Sequence, residues 1–157
     1  MFQVGDKIAY PMHGAGVIRG IKEEEVHGET VKYYDVDLPH SEMKILVPVD
    51  KCENVGLRHI ISEDLIDGVL DVLSAESEPM DSAWNRRFRE NTDKLHTGDI
   101  HIIAGVVRDL RRNDKVKRLS MGERKLLNSA KQILESELAL ASGKTIEEID
   151  ETVEARI

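Results

Sequence analysis

The chain predicts an α+β fold, with a small β module over residues 1–60 followed by an all-α helical domain over residues 61–157. Two patterns point there. Short runs rich in Val, Ile and Tyr, broken by Gly and Pro, occupy the first part, as in a small barrel or curled sheet. Past residue 60 the apolar residues recur at helical spacing, and most of these stripes follow a Ser, Thr or Asp suited to capping a helix.

The β elements read in order. Lys7 to Tyr10 ends at Pro11, and Gly14-Ala15-Gly16 supplies turn residues before Val17 to Ile21. The acidic run Glu23-Glu24-Glu25 leads towards Gly28 and reads as a solvated hairpin tip. Thr30 to Leu38 forms the next run, and Met43 to Val49 the one after. Pro48 within that last run predicts an edge strand, because proline cannot donate a ladder hydrogen bond.

The helices follow. Ser62 is positioned to cap a helix carrying Leu65, Ile66, Val69, Leu70 and Leu73, with Glu63 and Asp64 favourable to its dipole. Ala75 to Asp81, which contains Pro79, reads as a linker. A second helix begins near Ser82 and ends by Gly98. Asp99 caps a third, whose Ile100, Ile103, Ala104, Val107 and Leu110 share a face. Ser120 and Glu123 form a capping-box pattern before a long helix with Leu126, Leu127, Ala130, Ile133, Leu134 and Leu138. Thr145 and Glu148 repeat it before a short terminal helix.

Composition narrows the function classes. The single cysteine, Cys52, excludes an internal disulfide framework and fits a reducing cytosol; it reads as a small buried side chain. No signal-like start and no bilayer-length apolar run occur, so the expectation is a soluble, cytoplasmic protein with no membrane partner; a monomer is expected as well. No acid–base or nucleophile constellation points to an enzyme. The six histidines are scattered, and one thiol is too few for the usual sulfur-rich zinc sets, so neither metal nor cofactor is expected. Gly14-Ala15-Gly16 lacks the third glycine and the following helix of a dinucleotide fingerprint.

Charge is distributed unevenly. Residues 82–132 hold 13 Lys/Arg against 6 Asp/Glu, leaving 9 against 24 elsewhere in a chain of net charge −8. Such an island on an acidic protein suggests phosphate contacts. The candidates are Arg86, Arg87, Lys94, Arg108, Arg111, Arg112, Arg124, Lys125 and Lys131, with Arg89, Lys115, Lys117 and Arg118 nearby. The only tryptophan, Trp84, stands at the edge of this island. Its spacing to Phe88 and Leu95 puts all three on one helix face, which is a core pattern. Its place at the helix start, beside Arg86 and Arg87, equally suits a wedge that enters a nucleic acid. The pattern leaves both readings open.

Several stretches resemble the CarD/CdnL family of bacterial transcription regulators. They are Val4 to Gly16, Leu46-Val47-Pro48, Val55 to Arg58, Trp84 to Phe88, Val106 to Leu110, Leu119 to Lys125 and Glu137 to Ala141. The resemblance runs in order along essentially the whole chain. It implies a Tudor-like, SH3-like β module that docks on the β subunit of RNA polymerase, for which Val36, Leu46 and Pro48 are the contact candidates. It also implies a helical domain at the upstream edge of the transcription bubble, where the residue matching Trp84 wedges into the minor groove and stabilises the open promoter complex. Some family members carry arginines where this chain has Glu24 and Leu46. The rival expectation is a β-module protein that binds structured RNA or the ribosome independently of polymerase.

Overall fold

A computed structural model describes residues 2–157. The first part is an antiparallel sheet of β1 Lys7–Tyr10, β2 Gly14–Val26, β3 Glu29–Leu38, β4 Met43–Pro48 and β5 Arg58–His59, in the order β4-β3-β2-β1-β5. His27 and Gly28 turn the β2–β3 hairpin with φ of 52° and 81°, the sign that matches strand twist. Glu23 to Glu25 lie in the exposed end of β2, just short of that tip. A register shift between Ile18 and Gly20 bends β2, and the sheet curls over Ile8, Ile18, Tyr34, Val36, Leu38 and Val47. Cys52 is buried against the same core. Pro48 does lie in an edge strand. The turn before β2 is Pro11 to His13, so Gly14 opens the strand and does not shape the turn as its sequence suggested.

The second part comprises α1 Ile66–Ser74, α2 Trp84–His96, α3 Ile100–Val116, α4 Met121–Ser142 and α5 Ile146–Arg156. Their apolar stripes meet in one core that includes Leu73, Leu95, Ile103, Leu110, Leu134 and Leu138. Three caps form where the sequence places them. Asp99 Oδ1 accepts from the amides of His101 and Ile102, Ser120 Oγ from Glu123, and Thr145 Oγ1 from Glu148. Ser62 behaves differently. A 3-10 turn, Glu63–Leu65, intervenes before α1, and the Ser62 hydroxyl caps nothing. Three residues per turn instead of 3.6 carry Leu65 off the stripe that Val69, Leu70 and Leu73 continue, leaving it 54% exposed.

The two parts pack against each other along β2, β5 and α4. Gly14 has φ of 93°, and a Cβ there would lie 2.6 Å from Ser136 Oγ, so only glycine permits the approach. Ser136 Oγ accepts the Ala15 amide at 3.0 Å. Beside it, Arg58 makes a two-pronged pair with Glu137 at 2.8 and 2.7 Å. The other Arg58 donors reach the carbonyls of Gly98 and His59. Glu137 Oε2 also accepts the Ile61 amide at 3.0 Å.

A second polar cluster joins α5 to α4. Lys131 Nζ lies 2.8 Å from both Asp150 and Glu154. One turn further, buried Glu135 has an Oε2 with no partner among the described residues. Burial, then the adjacent Asp150 carboxylate, pushes Glu135 up to about 8. Hydrogen bonding from Glu135, then from Lys131, holds Asp150 below the usual carboxylate range.

Two outcomes are expected. Glu137→Ala strands the Arg58 guanidinium and should cost about 3 kcal/mol in denaturant unfolding, the low end for a broken buried pair because Arg58 keeps partial solvent access. Because the folded pKa of Glu135 is raised, its protonation favours the folded state at acid pH, and this contribution is lost as pH climbs from 4.5 through about 8. Glu135→Gln, permanently uncharged, should flatten the alkaline limb of the stability-against-pH curve; an unchanged limb would show that Glu135 does not govern it.

Candidate nucleic-acid interface

Trp84 is the first residue of α2 and is 42% exposed, so neither sequence reading is complete. Its ring lies nearly parallel to Phe88, with centroids 5.0 Å apart and planes 12° apart. The indole Nε1–H donates to Ser120 Oγ at 3.0 Å. Leu95, further along the same stripe, is fully buried. The stripe thus runs from solvent at Trp84 into the core at Leu95. Periodicity identifies the face; only the helix's placement shows how far along it burial extends.

Beside the indole is a half-open cleft of ≈ 570 Å³. Trp84, Leu119 and Val116 supply apolar wall, Lys117 and Arg118 a cationic lip, and Glu123 and Arg87 a paired floor. Asp114 shapes the connection between α3 and α4 by accepting the Leu119 amide at 3.1 Å. Val116 and Met121 are 88% and 91% exposed, which makes the surface around Trp84 the most openly apolar part of the helical domain.

Five of the thirteen basic residues in the island face inward, and these predicted phosphate contacts need correction. Arg108 is buried and pairs with Asp109 at 2.8 Å while donating to the Val72 carbonyl. Arg112 closes the C-terminus of α1 through the carbonyls of Leu73 and Ala75. Arg111 pairs with Glu154 and Asp114, and Lys131 is held between Asp150 and Glu154. Arg87 grips Glu123 at 2.8 and 3.0 Å and the carbonyls of Asp81 and Ser82. The Arg87 hydrogen bond keeps the Glu123 carboxyl below its ordinary range, and Glu123 raises Arg87 in turn. These side chains hold the helices together and have little left for a phosphate.

Others stay on the surface. Arg86 projects into solvent, with Asp81 only loosely placed at 3.8 Å. Lys94 has Glu78 at 3.6 Å, and Arg124 has Asp114 at 3.8 Å. Arg89, Lys115, Lys117, Arg118 and Lys125 are exposed and make no ion pair among the described residues. Of these, Lys117 and Arg118 line the cleft beside the indole.

At the far edge of the sheet, β4 leaves one side unpaired. Leu46 is 39% exposed there, Met43 is 41% exposed, and Pro48 is half-buried. Val36 is a correction: it is fully buried in β3 between Ile18 and Ile45, so its side chain belongs to the sheet's core and cannot face a partner. Met43, exposed near the start of β4, is a further apolar residue on this edge strand, though three residues from Leu46 it lies on the strand's other face. Among the described residues, no helix is long and apolar enough to cross a membrane.

The structure is a small sheet module packed against a helical domain that carries a half-exposed tryptophan beside a cationic lip. The family model described as CarD-like/TRCF RID domain matches residues 2–61, and the one described as CarD, C-terminal domain matches residues 68–154. The Bacillus subtilis (strain 168) protein described as "Putative transcription factor YdeB" is 37% identical over 149 residues, spanning 95% of this chain and 97% of that one. The chain belongs to the CarD-like family of transcription regulators.

The division between inward and outward basic residues has a direct check. Arg108→Ala should destabilise the fold by about 3 kcal/mol, because Asp109 is left buried and unpaired. Arg118→Ala should leave the melting temperature unchanged and reduce the slope of log K against log salt for DNA binding by about one. An Arg108→Ala variant of parental stability, or an unchanged salt slope in Arg118→Ala, would reverse the assignment of that residue.

Proposed function

We propose that this regulator docks on the β subunit of bacterial RNA polymerase through the β4 edge and stabilises the open promoter complex with Trp84. The observation that carries this reading is the Trp84 ring, half exposed and fixed at a helix start beside a cationic cleft. The match to a domain type shared by CarD-like proteins and TRCF supports the polymerase half. Leu46, Pro48 and Met43 would pack against a partner strand while the free backbone of β4 extends its sheet, a mode in which main-chain bonds supply affinity. At the upstream edge of the bubble, Trp84 would insert from the minor groove and hold an opened step apart.

Arg86, Lys94, Arg124 and Lys125, together with Lys117 and Arg118, would contact phosphates around that point. Each contact is weak and indifferent to sequence. Docking on polymerase compensates, because tethering raises the local concentration of the DNA-facing surface. The wedge favours the open state only to the extent that it binds melted DNA better than duplex.

In promoter-opening kinetics with polymerase, Trp84→Ala should bind the enzyme as the parent does while shortening the open-complex lifetime. Its loss of folding stability should stay near about 1–2 kcal/mol, below that of a buried aromatic deletion. An open-complex lifetime equal to the parent's would overturn the wedge reading. Leu46→Glu should instead weaken polymerase binding and leave DNA affinity of the free chain intact.

A further inference from the structure

Tryptophan has one hydrogen-bond donor, the indole N–H. In Trp84 that donor points into the protein, to Ser120 Oγ at 3.0 Å. Ser120 is itself fixed, since it is the N-cap of α4 and accepts the Glu123 amide at 3.3 Å. Phe88 supports one face of the ring. Gly122 lies against the benzo edge so closely that a Cβ there would sit 3.3 Å from Cζ2. Edge, face and rim are each held, and the rest of the ring remains open to solvent.

We propose that Ser120 is a positioning residue for Trp84 and that, by taking its only donor, it makes the wedge indifferent to the base pair it enters. This rests on the wedge reading above. Every base pair presents purine N3 and pyrimidine O2 acceptors in the minor groove, and G·C adds the guanine amino donor. A free indole N–H would seek the acceptors and meet the guanine amino group unfavourably, so it would favour A·T. With the N–H engaged by Ser120, the ring offers only its π face and C–H edges, which any step accepts. A regulator placed by polymerase at many promoters needs that neutrality, and a ring already held in place loses less freedom on insertion.

Ser120→Gly separates this role from capping, because glycine substitutes for serine at an N-cap with little loss but has no oxygen to accept the indole N–H. Trp84 is the only tryptophan, so the chain's indole emission reports on this ring alone. In the free full-length chain, Ser120→Gly should lower emission anisotropy and increase acrylamide quenching, while Ser120→Thr should restore both. Open-complex lifetimes should then be measured with polymerase on two promoters that differ only in an A·T or G·C pair at the upstream edge of the bubble.

The parent should lengthen both lifetimes by the same factor. Ser120→Gly should lengthen them less, and unequally, favouring A·T by about twofold or more, the worth of one modest hydrogen bond. Unchanged anisotropy and quenching in Ser120→Gly would overturn the positioning role. A parent that distinguishes the promoters, or a Ser120→Gly variant that does not, would overturn the link to specificity. If Trp84→Ala matches the parent's lifetimes, the wedge reading itself fails, and the fluorescence comparison still decides the positioning.

Discussion

The contact between Arg58 and Glu137 fixes what the rest of the molecule can do. Arg58 comes from β5, the last and shortest strand, and Glu137 from the buried C-terminal half of α4. All five guanidinium N–H groups are engaged: two by Glu137, two by the Gly98 carbonyl and one by the His59 carbonyl. An ion pair at such a seam earns its stability only when its remaining hydrogen-bonding capacity is satisfied. Here it is, with the Ile61 amide completing the carboxylate. Gly98 lies in the turn between α2 and α3, so the same arginine ties the sheet to α4 and to the base of α2. Trp84 stands at the other end of α2, about 20 Å away at 1.5 Å per residue. A surface on β4 and a ring on α2 are therefore held in one fixed relation.

The fold was largely legible because its elements depend on local chemistry. Asp99, Ser120 and Thr145 cap helices where their spacing to the next turn predicts, since capping involves residues only two or three apart. The core faces of α3 and α4 follow from periodicity, which is equally local. Ser62 was misleading because a 3-10 turn and an α-helix begin with the same residue types and differ only in the path taken afterwards.

The site was less legible, and charge shows why. Arg86, Arg87 and Arg89 are near neighbours on one helix, yet Arg87 is committed to Glu123 while Arg86 and Arg89 face water. The partners that absorb Arg108, Arg112 and Lys131 come from Asp109, the end of α1 and α5 respectively. Of these only Asp109 is a sequence neighbour. The excess of 13 Lys/Arg over 6 Asp/Glu in residues 82–132 is partly answered by acids outside that window, including Asp150 and Glu154. A regional charge sum counts residues; it cannot count which carboxylates fold back onto them. Val36 failed for the related reason that strand alternation gives two faces and does not say which is core.

Trp84 combines these two lessons. Its stripe is a core pattern, and the stripe does enter the core, but α2 begins early enough that its first residue overhangs. An overhanging tryptophan would ordinarily be mobile and would order at a cost when it meets a partner. The capping residue of α4 prevents that, because the oxygen that starts one helix also accepts the indole N–H at the start of another. Glu123, which the capping pattern would turn back towards Ser120, is diverted to Arg87, and this ties the first turns of α2 and α4 together. The ring is thus rigid for the same reason that the two helix ends are. For the proposed wedge role, the stiffness such an insertion requires would come from ordinary helix-end chemistry.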